Sequence, residues 1–371
     1  MIPQVPGIPL RTGRLRSRPV KTETNTNPPG SVALASRREP SVEDYVAGVR
    51  AGDRALLARA ITLVESTAPR HREQAEAVLE ALLPEAGGAI RVGLTGSPGV
   101  GKSSLIEVLG QHLVGLGHRV AVLAIDPSSS VSGGSLLGDK TRMSSLSTHP
   151  AAFIRPSPTA GTLGGVARRT RETLLLCEAG GYDVVLVETV GVGQSEALAA
   201  EMVDTLCLLL LAGAGDGLQG IKRGVLELAD VLAITKADGD NEQPALQAAA
   251  VYRSALQLFR PRDENWRPPI QTLSAHTGLG IAELWAQILA HRAAREAAGN
   301  FESHRRNQRL GWLWTLVEEG LHEALVDDPR IATLLRRCKG EVEAGQVTPG
   351  LAARRLLHQV LGSSAASRED S

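Results

Sequence analysis

The stretch AIRVGLTGSPGVGKSSL, residues 89–105, decides the fold. An apolar β-type run (Ile90, Val92, Leu94) leads into a glycine turn, and the turn opens into a helical pattern. Strand, glycine loop and helix in that order form a phosphate cradle. Across Gly96, Ser97, Pro98, Gly99, Val100, Gly101, Lys102, Ser103 and Ser104, the glycines let backbone N–H groups face phosphate oxygens. Lys102 reaches the β/γ oxygens, and the Ser103 hydroxyl is placed to ligate Mg2+. The helix amino terminus behind the loop adds a dipole favourable to an anion. At average composition, Gly, Gly, Lys and Ser/Thr at these spacings recur by chance in roughly 1% of chains this long. The flanking strand and helix patterns narrow that further.

Outward from this loop, strands and helices alternate, which predicts an α/β fold, a P-loop NTPase with a doubly wound, mostly parallel sheet. The candidate strands run from Arg119 to Ile125, Ala152 to Arg155, Tyr182 to Glu188, Asp204 to Leu211, Val231 to Thr235 and Ile270 to Leu273. Their near-continuous apolar runs suit strands covered on both faces. The expected organisation is a tail over 1–40 and a helical module over 41–86, then the nucleotide-binding domain over 87–298. A helical, dimerising arm over 299–362 and a frayed tail over 363–371 follow. Ser41 and Asp53 read as helix N-caps, and Pro69 separates a further helix from Arg70 to Leu83. The proline- and arginine-rich first 40 residues read as a disordered tail in a cytoplasmic protein. The alternative is an organelle transit peptide, which would place the chain in the mitochondrial matrix.

The 371 residues are 43% hydrophobic, enough for a large core. Lys+Arg and Asp+Glu number 40 each, so no chain-wide field attracts nucleic acid or a membrane surface. Aromatics at 3% offer few base-stacking platforms. No apolar run approaches the roughly 18 residues needed to span a bilayer. Cys177, Cys207 and Cys338 lie far apart and read as buried small hydrophobes.

The polar motifs fall at the carboxyl ends of the strands, where ligands bind in such sheets. Glu188-Thr189-Val190-Gly191 supplies an acid to orient Mg2+ or its water and a glycine N–H to sense the γ-phosphate. Asp126 ends the second strand and Asp139 lies in a Gly/Ser-rich segment. Each is a candidate for the metal or water shell, a helix cap or a solvated turn being the plainer readings. Thr235-Lys236-Ala237-Asp238 reads as a base-recognition motif, since an Asp carboxylate accepts N1–H and N2–H of guanine, a match adenine lacks. Ser274-Ala275-His276 would complete the purine pocket through backbone N–H groups. The motif order favours GTP over ATP.

With these motifs in order, the chain resembles the MeaB/ArgK family of GTPase chaperones associated with methylmalonyl-CoA mutase. The distinctive segments are IDPSSS (125–130), GDKTRM (138–143), FIRPSPTAGTLGGVA (153–167), VETVGVGQSE (187–196) and GAGDGLQGIKRG (213–224). The resemblance implies a homodimer that hydrolyses GTP with Mg2+ and binds an adenosylcobalamin-dependent acyl-CoA mutase, an association that extends to the mutase's adenosyltransferase. It would gate cobalamin loading and protect or reactivate the mutase, and adenosylcobalamin would be met only through that partner. At matching positions, Lys102 and Ser103 hold phosphate and metal. Asp126, Asp139 and Glu188 form the metal and water shell, Lys236 and Asp238 read guanine, and the segment from Gly213 to Gly224 relays nucleotide state. The base motif departs from the usual pattern in beginning with Thr235 rather than Asn, which removes an amide contact and keeps Asp238. A metal-inserting GTPase and a P-loop kinase or transport-associated ATPase stand as alternatives.

Overall fold

The chain divides into Met1–Glu39 and Pro40–Ser371, and the description that follows is of the second unit. The computed structural model describes residues 39–125, 143–156, 163–189, 195–212, 223–257, 262–327 and 329–366. The unit opens with α1 (Val42–Arg50), α2 (Arg54–Val64) and α3 (Pro69–Leu82), then enters β1 (Ile90–Gly96), α4 (Lys102–Gly115), β2 (Val120–Ile125), α5 (Ser144–Thr148) and β3 (Ala152–Arg155). It continues through α6 (Leu163–Ala179), β4 (Val184–Thr189), α7 (Ser195–Ala200), β5 (Thr205–Leu211), α8 (Arg223–Leu228), β6 (Val231–Thr235), α9 (Glu242–Leu256) and β7 (Ile270–Thr272). Helices α10 (Ile281–Ala297), α11 (Phe301–Asp327), α12 (Pro329–Glu343) and α13 (Pro349–Ala366) close it.

The strands form one seven-stranded sheet in the order β3-β2-β4-β1-β5-β6-β7, and every neighbouring pair is parallel. Alternate side chains of a strand face opposite sides, and here both sides are covered. Val92, Leu94, Val184 and Leu186 pack with Leu105, Ile106 and Leu109 of α4 and Leu284 and Ile288 of α10. Val185, Val187, Ala121 and Leu123 face the other way, onto α6 and the N-terminal helices through Leu174, Leu57 and Ile61. This two-sided burial is why the strands read as unbroken apolar runs.

The first strand neighbours of the glycine loop place it centrally, because β1 lies between β4 and β5, and the chain order reverses there. The helix starts match their expected caps. Ser41 and Asp44 form a capping box, and the Asp53 carboxylate accepts from the N–H groups of Ala55 and Leu56 at 2.8 and 3.1 Å.

Strand starts differ from expectation for a consistent reason. Arg119, Asp183 and Asp204 precede β2, β4 and β5 rather than belonging to them. The Asp183 carboxylate accepts from Arg119 N at 2.7 Å and lies 2.8 Å from His118 Nδ1. Asp204 is taken by Arg305 of α11, with both carboxylate oxygens engaged at 2.7–2.8 Å. At the other end, α13 runs to Ala366, beyond the 362 boundary expected for the arm. Ser363, Ser364, Ala365 and Ala366 include no proline or glycine to stop it. Among the described residues, no helix is long and apolar enough to cross a membrane. The cysteines are free and buried, as their apolar settings suggested.

Candidate functional site

The site is built where β1 ends. Gly96 has φ +153°, and a Cβ there would lie 2.5 Å from the Leu209 carbonyl oxygen of β5, so the turn needs glycine. The chain then exposes Ser97, Pro98 and Gly99 and buries Val100. Gly101, in the left-handed region at φ +98°, turns it into α4. Lys102 begins that helix almost fully buried, and its ammonium donates to the carbonyls of Gly96 at 2.8 Å and Ser97 at 3.2 Å. Burial lowers the Lys102 pKa, while the nearby charges of Glu188 and Glu196 oppose that shift.

Ser103 follows, and its Oγ donates to Glu188 Oε1 at 3.0 Å. The two motifs that sequence spacing placed 85 residues apart therefore meet. A hydroxyl that donates its one proton to a carboxylate turns its lone pairs elsewhere. An all-oxygen donor set of hydroxyl and carboxylate suits a hard cation such as Mg2+, which keeps several waters and takes one or two carboxylates plus phosphate. Behind the pair, the Thr189 hydroxyl donates to Thr95 Oγ1 at 2.8 Å, both residues fully buried, which pins β4 to β1 at their ends. Ser104 is exposed on α4.

The base motif lies beside this loop. Thr235 is 3% exposed, and its hydroxyl sits 2.7 Å from the Val100 carbonyl and 3.1 Å from that of Leu210. Its single proton serves one of them at a time. Lys236 adopts φ +56° and is exposed, with its carbonyl held by Asn241 Nδ2 at 2.6 Å. Ala237 N donates to the Leu273 carbonyl at 3.0 Å, which joins the motif to the residue just after β7. Asp238 Oδ2 lies 3.5 Å from His276 Nδ1. Ser274, fully buried, accepts on its Oγ from the N–H groups of His276 and Thr277 at 3.2 Å each, which sets the turn over Ala275. The structure thus brings Asp238 together with the Ser274 to His276 turn, and both next to the phosphate loop through Thr235.

Three expected site residues, Asp126, Asp139 and Gly191, lie outside the described residues, as do positions 213–222. The strand ends that flank them are in place, since Ile125 pairs with Thr189 and Ala124 with Glu188. Among the described residues, no group of three His, Cys, Asp or Glu side chains is placed to hold a metal ion. One residue escaped the sequence reading. Glu196, 5% exposed in the first turn of α7, places a charge that, with Glu188, opposes the burial-driven lowering of the Lys102 pKa. Its signal was an acid opening the helix that follows the Glu188 motif.

The profile of the family described as methylmalonyl-CoA mutase-associated GTPase MeaB matches residues 57–330. The GTPase ArgK of Escherichia coli is 45% identical over 318 residues, 86% of this chain and 96% of its own. A mouse protein named methylmalonic aciduria type A homolog, mitochondrial, is 48% identical over 334 residues, 87% of this chain and 80% of its own. A crystal structure described as an LAO/AO transport system kinase superposes with a TM-score of 0.70 at 38% identity, covering 86% of this chain and 97% of that one. The matched span contains the glycine loop, Glu188 on β4 and the segment from Thr235 to Asp238 that begins at the end of β6. The chain belongs to the MeaB family of methylmalonyl-CoA mutase-associated GTPases.

Proposed function

We propose that this GTPase is a magnesium-dependent switch serving an adenosylcobalamin-dependent acyl-CoA mutase, with methylmalonyl-CoA mutase the first candidate, and that it gates cobalamin loading and protects or reactivates that enzyme. The observation that carries the reading is the 3.0 Å bond between Ser103 and Glu188. It couples the phosphate loop directly to the end of β4, from which the chain passes through 190–194 to α7. A change of nucleotide at the loop therefore has a short mechanical route into a segment a partner could read.

In this reading Lys102 releases the Gly96 and Ser97 carbonyls and turns to the β- and γ-phosphate oxygens. Ser103, with Glu188, Asp126 and Asp139, would hold Mg2+, which when bound neutralises charge on the phosphates. The same acids would orient the attacking water, and the Gly191 N–H would sense the γ-phosphate. Asp238 accepts from guanine N1–H and N2–H, the Lys236 stem covers the base, and the turn from Ser274 to His276 closes the pocket. Adenosylcobalamin is met through the mutase and not held by this chain. The family description names methylmalonyl-CoA mutase, and the name of the mouse relative refers to methylmalonic aciduria. A homodimer fits the stripe of exposed apolar side chains on α11, formed by Leu310, Leu313, Trp314, Val317 and Leu321.

The test is GTP turnover by the purified chain with and without purified methylmalonyl-CoA mutase, alongside co-elution of the two in GDP and in a nonhydrolysable GTP analogue. Turnover should rise with the mutase, and co-elution should differ between nucleotides. Unchanged turnover together with no complex in either state would reject the partner.

A further inference from the structure

The nucleotide loop and the base motif gather at the carboxyl ends of the strands, and a separate cavity of about 310 Å3 opens at the other end, by the starts of β6 and β7. The five residues of β6, about 16 Å at roughly 3.3 Å per residue, lie between the two. The cavity has an apolar floor, formed by Leu226 of α8, Leu256 of α9 and Ile270 of β7. Three exposed arginines line it, Arg253 of α9 and Arg262 and Arg267 on the approach to β7. Among the described residues of the lining, Glu227 is the one carboxylate.

The backbone aims two of these arginines the same way. Asp263 and Trp266 are antiparallel bridge partners across a tight turn, and Trp266 N donates to the Asp263 carbonyl at 3.2 Å. Both side chains point toward α10 and the turn after it. Asp263 Oδ2 accepts from Asn300 Nδ2 at 3.0 Å, and the Trp266 ring lies 5.0 Å from that of His291. Arg262 and Arg267 come next on the two limbs, so alternation turns them to the other face, opposite one another. The turn is pinned, with Trp266 Nε1 donating to the Asp230 carbonyl at 2.7 Å and Leu232 N to that of Pro269 at 2.9 Å. Arg253 reaches the same place from α9, its Nη2 3.5 Å from the Ile270 carbonyl, while Arg262 Nη1 lies 3.5 Å from that of Leu228. Both contacts are at the outer limit of a hydrogen bond. Among the described residues none of these three arginines is in an ion pair, whereas Arg91, Arg155 and Arg305 are. Arg262 adds its charge to the field at the buried Asp230. Like charges that face one another repel, and an anion between them removes that cost.

We propose that this cavity binds a phosphate monoester that carries an apolar group. Three guanidiniums against one carboxylate leave two positive charges, and a phosphate monoester brings close to two negative ones at neutral pH. Its terminal oxygens accept from the arginine forks, and its apolar group rests on Leu226, Leu256 and Ile270. A carboxylate, with one charge and two oxygens, leaves part of the site unmatched. The same phosphate chemistry occurs in a free small molecule and in the headgroup of phosphatidic acid.

Calorimetric titration of the full chain, saturated with GDP and Mg2+ so that the nucleotide loop takes no phosphate, tests the assignment with 2-naphthyl phosphate, 2-naphthoate and inorganic phosphate. The naphthyl phosphate binds once per chain with Kd below about 1 mM, and the other two bind at least about tenfold more weakly. Arg253→Gln and Arg267→Gln each lower its affinity by about tenfold. Arg253→Lys, which keeps the charge and loses the fork, costs less. Circular dichroism and GTP turnover of the variants stay as in the parent, since these residues lie at the far end of β6 from the nucleotide site. Co-sedimentation with phosphatidylcholine vesicles containing phosphatidic acid, lost in Arg267→Gln, assigns the site to a lipid headgroup. Binding of naphthyl phosphate without co-sedimentation assigns it to a free ester. No binding of naphthyl phosphate up to about 10 mM, binding undiminished in both glutamine variants, or 2-naphthoate bound as tightly as the phosphate overturns the proposal.

Discussion

Thr235→Val removes one hydroxyl and changes almost nothing in shape. The hydroxyl it deletes is 2.7 Å from the carbonyl of Val100, and both residues are within 3% of full burial. Water cannot replace the lost donor. A net intramolecular hydrogen bond contributes about 0.5–1.5 kcal/mol, and a buried polar group left unpaired costs about 1–3 kcal/mol. The expected loss of folding stability is therefore about 1–3 kcal/mol, read by urea denaturation of parent and variant. Because Val100 anchors the exposed crest of Ser97 to Gly99, the same bond holds the phosphate loop ready for nucleotide. If the loss falls wholly on that loop, Kd for GDP rises between roughly fivefold and a hundredfold, at about 1.4 kcal/mol per decade. Thr235→Ser keeps the hydroxyl and separates the bond from the methyl group, with a cost of about 1 kcal/mol and near-parent affinity. The reasoning fails if Thr235→Val matches the parent in both stability and GDP affinity, or if Thr235→Ser is as damaging as Thr235→Val.

Three further outcomes follow from buried titratable groups. Lys102→Ala should lower GTP hydrolysis by at least about a hundredfold, while the fold persists; a parent-like rate would remove the loop lysine from the mechanism. His291 is fully buried, and burial, aided by the Arg295 charge, lowers its pKa to about 3. The folded chain keeps it neutral where the unfolded chain protonates it below about pH 6.5, so stability is lost as pH falls through that range. This one group should account for about 2 kcal/mol between pH 7 and pH 5, and His291→Asn should flatten the pH dependence of urea midpoints accordingly. Asp230, whose pKa burial raises to about 6, acts in the opposite sense. Its contribution is complete below about pH 3.8 and lost as pH rises through 6, so Asp230→Asn should steepen the acid-side loss. Parallel pH profiles for parent and His291→Asn would show that the imidazole is not the group responsible.

The sheet was legible because its strands are buried on both faces, so runs such as Val184 to Val187 carry no polar interruption, and because the glycine loop fixes which strand is central. Legibility ended where long-range pairing decides. Asp183 and Asp204 sit at the borders of apolar runs and were read into the strands. Their carboxylates instead bind Arg119 N and Arg305, the latter 101 residues away, which no local pattern encodes. Thr235 shows the same limit within the site. By sequence it is a departure that costs an amide contact, whereas in the structure its hydroxyl ties β6 to the phosphate loop. The Ser103–Glu188 contact was implied by motif order, yet the role of Glu196 emerged only once α7 placed its charge near Lys102.

In the proposed function Asp238 recognises guanine, beside a phosphate loop bonded to Thr235 and Glu188. Competition binding of GTP and xanthosine triphosphate to the parent and to Asp238→Asn tests it most directly. The amide of the variant cannot accept both guanine N–H groups, so GTP affinity should fall by at least about a hundredfold and the preference should pass to xanthosine triphosphate. An Asp238→Asn variant that still binds GTP at the parent's affinity, with xanthosine triphosphate no better than before, would show that Asp238 does not read the base.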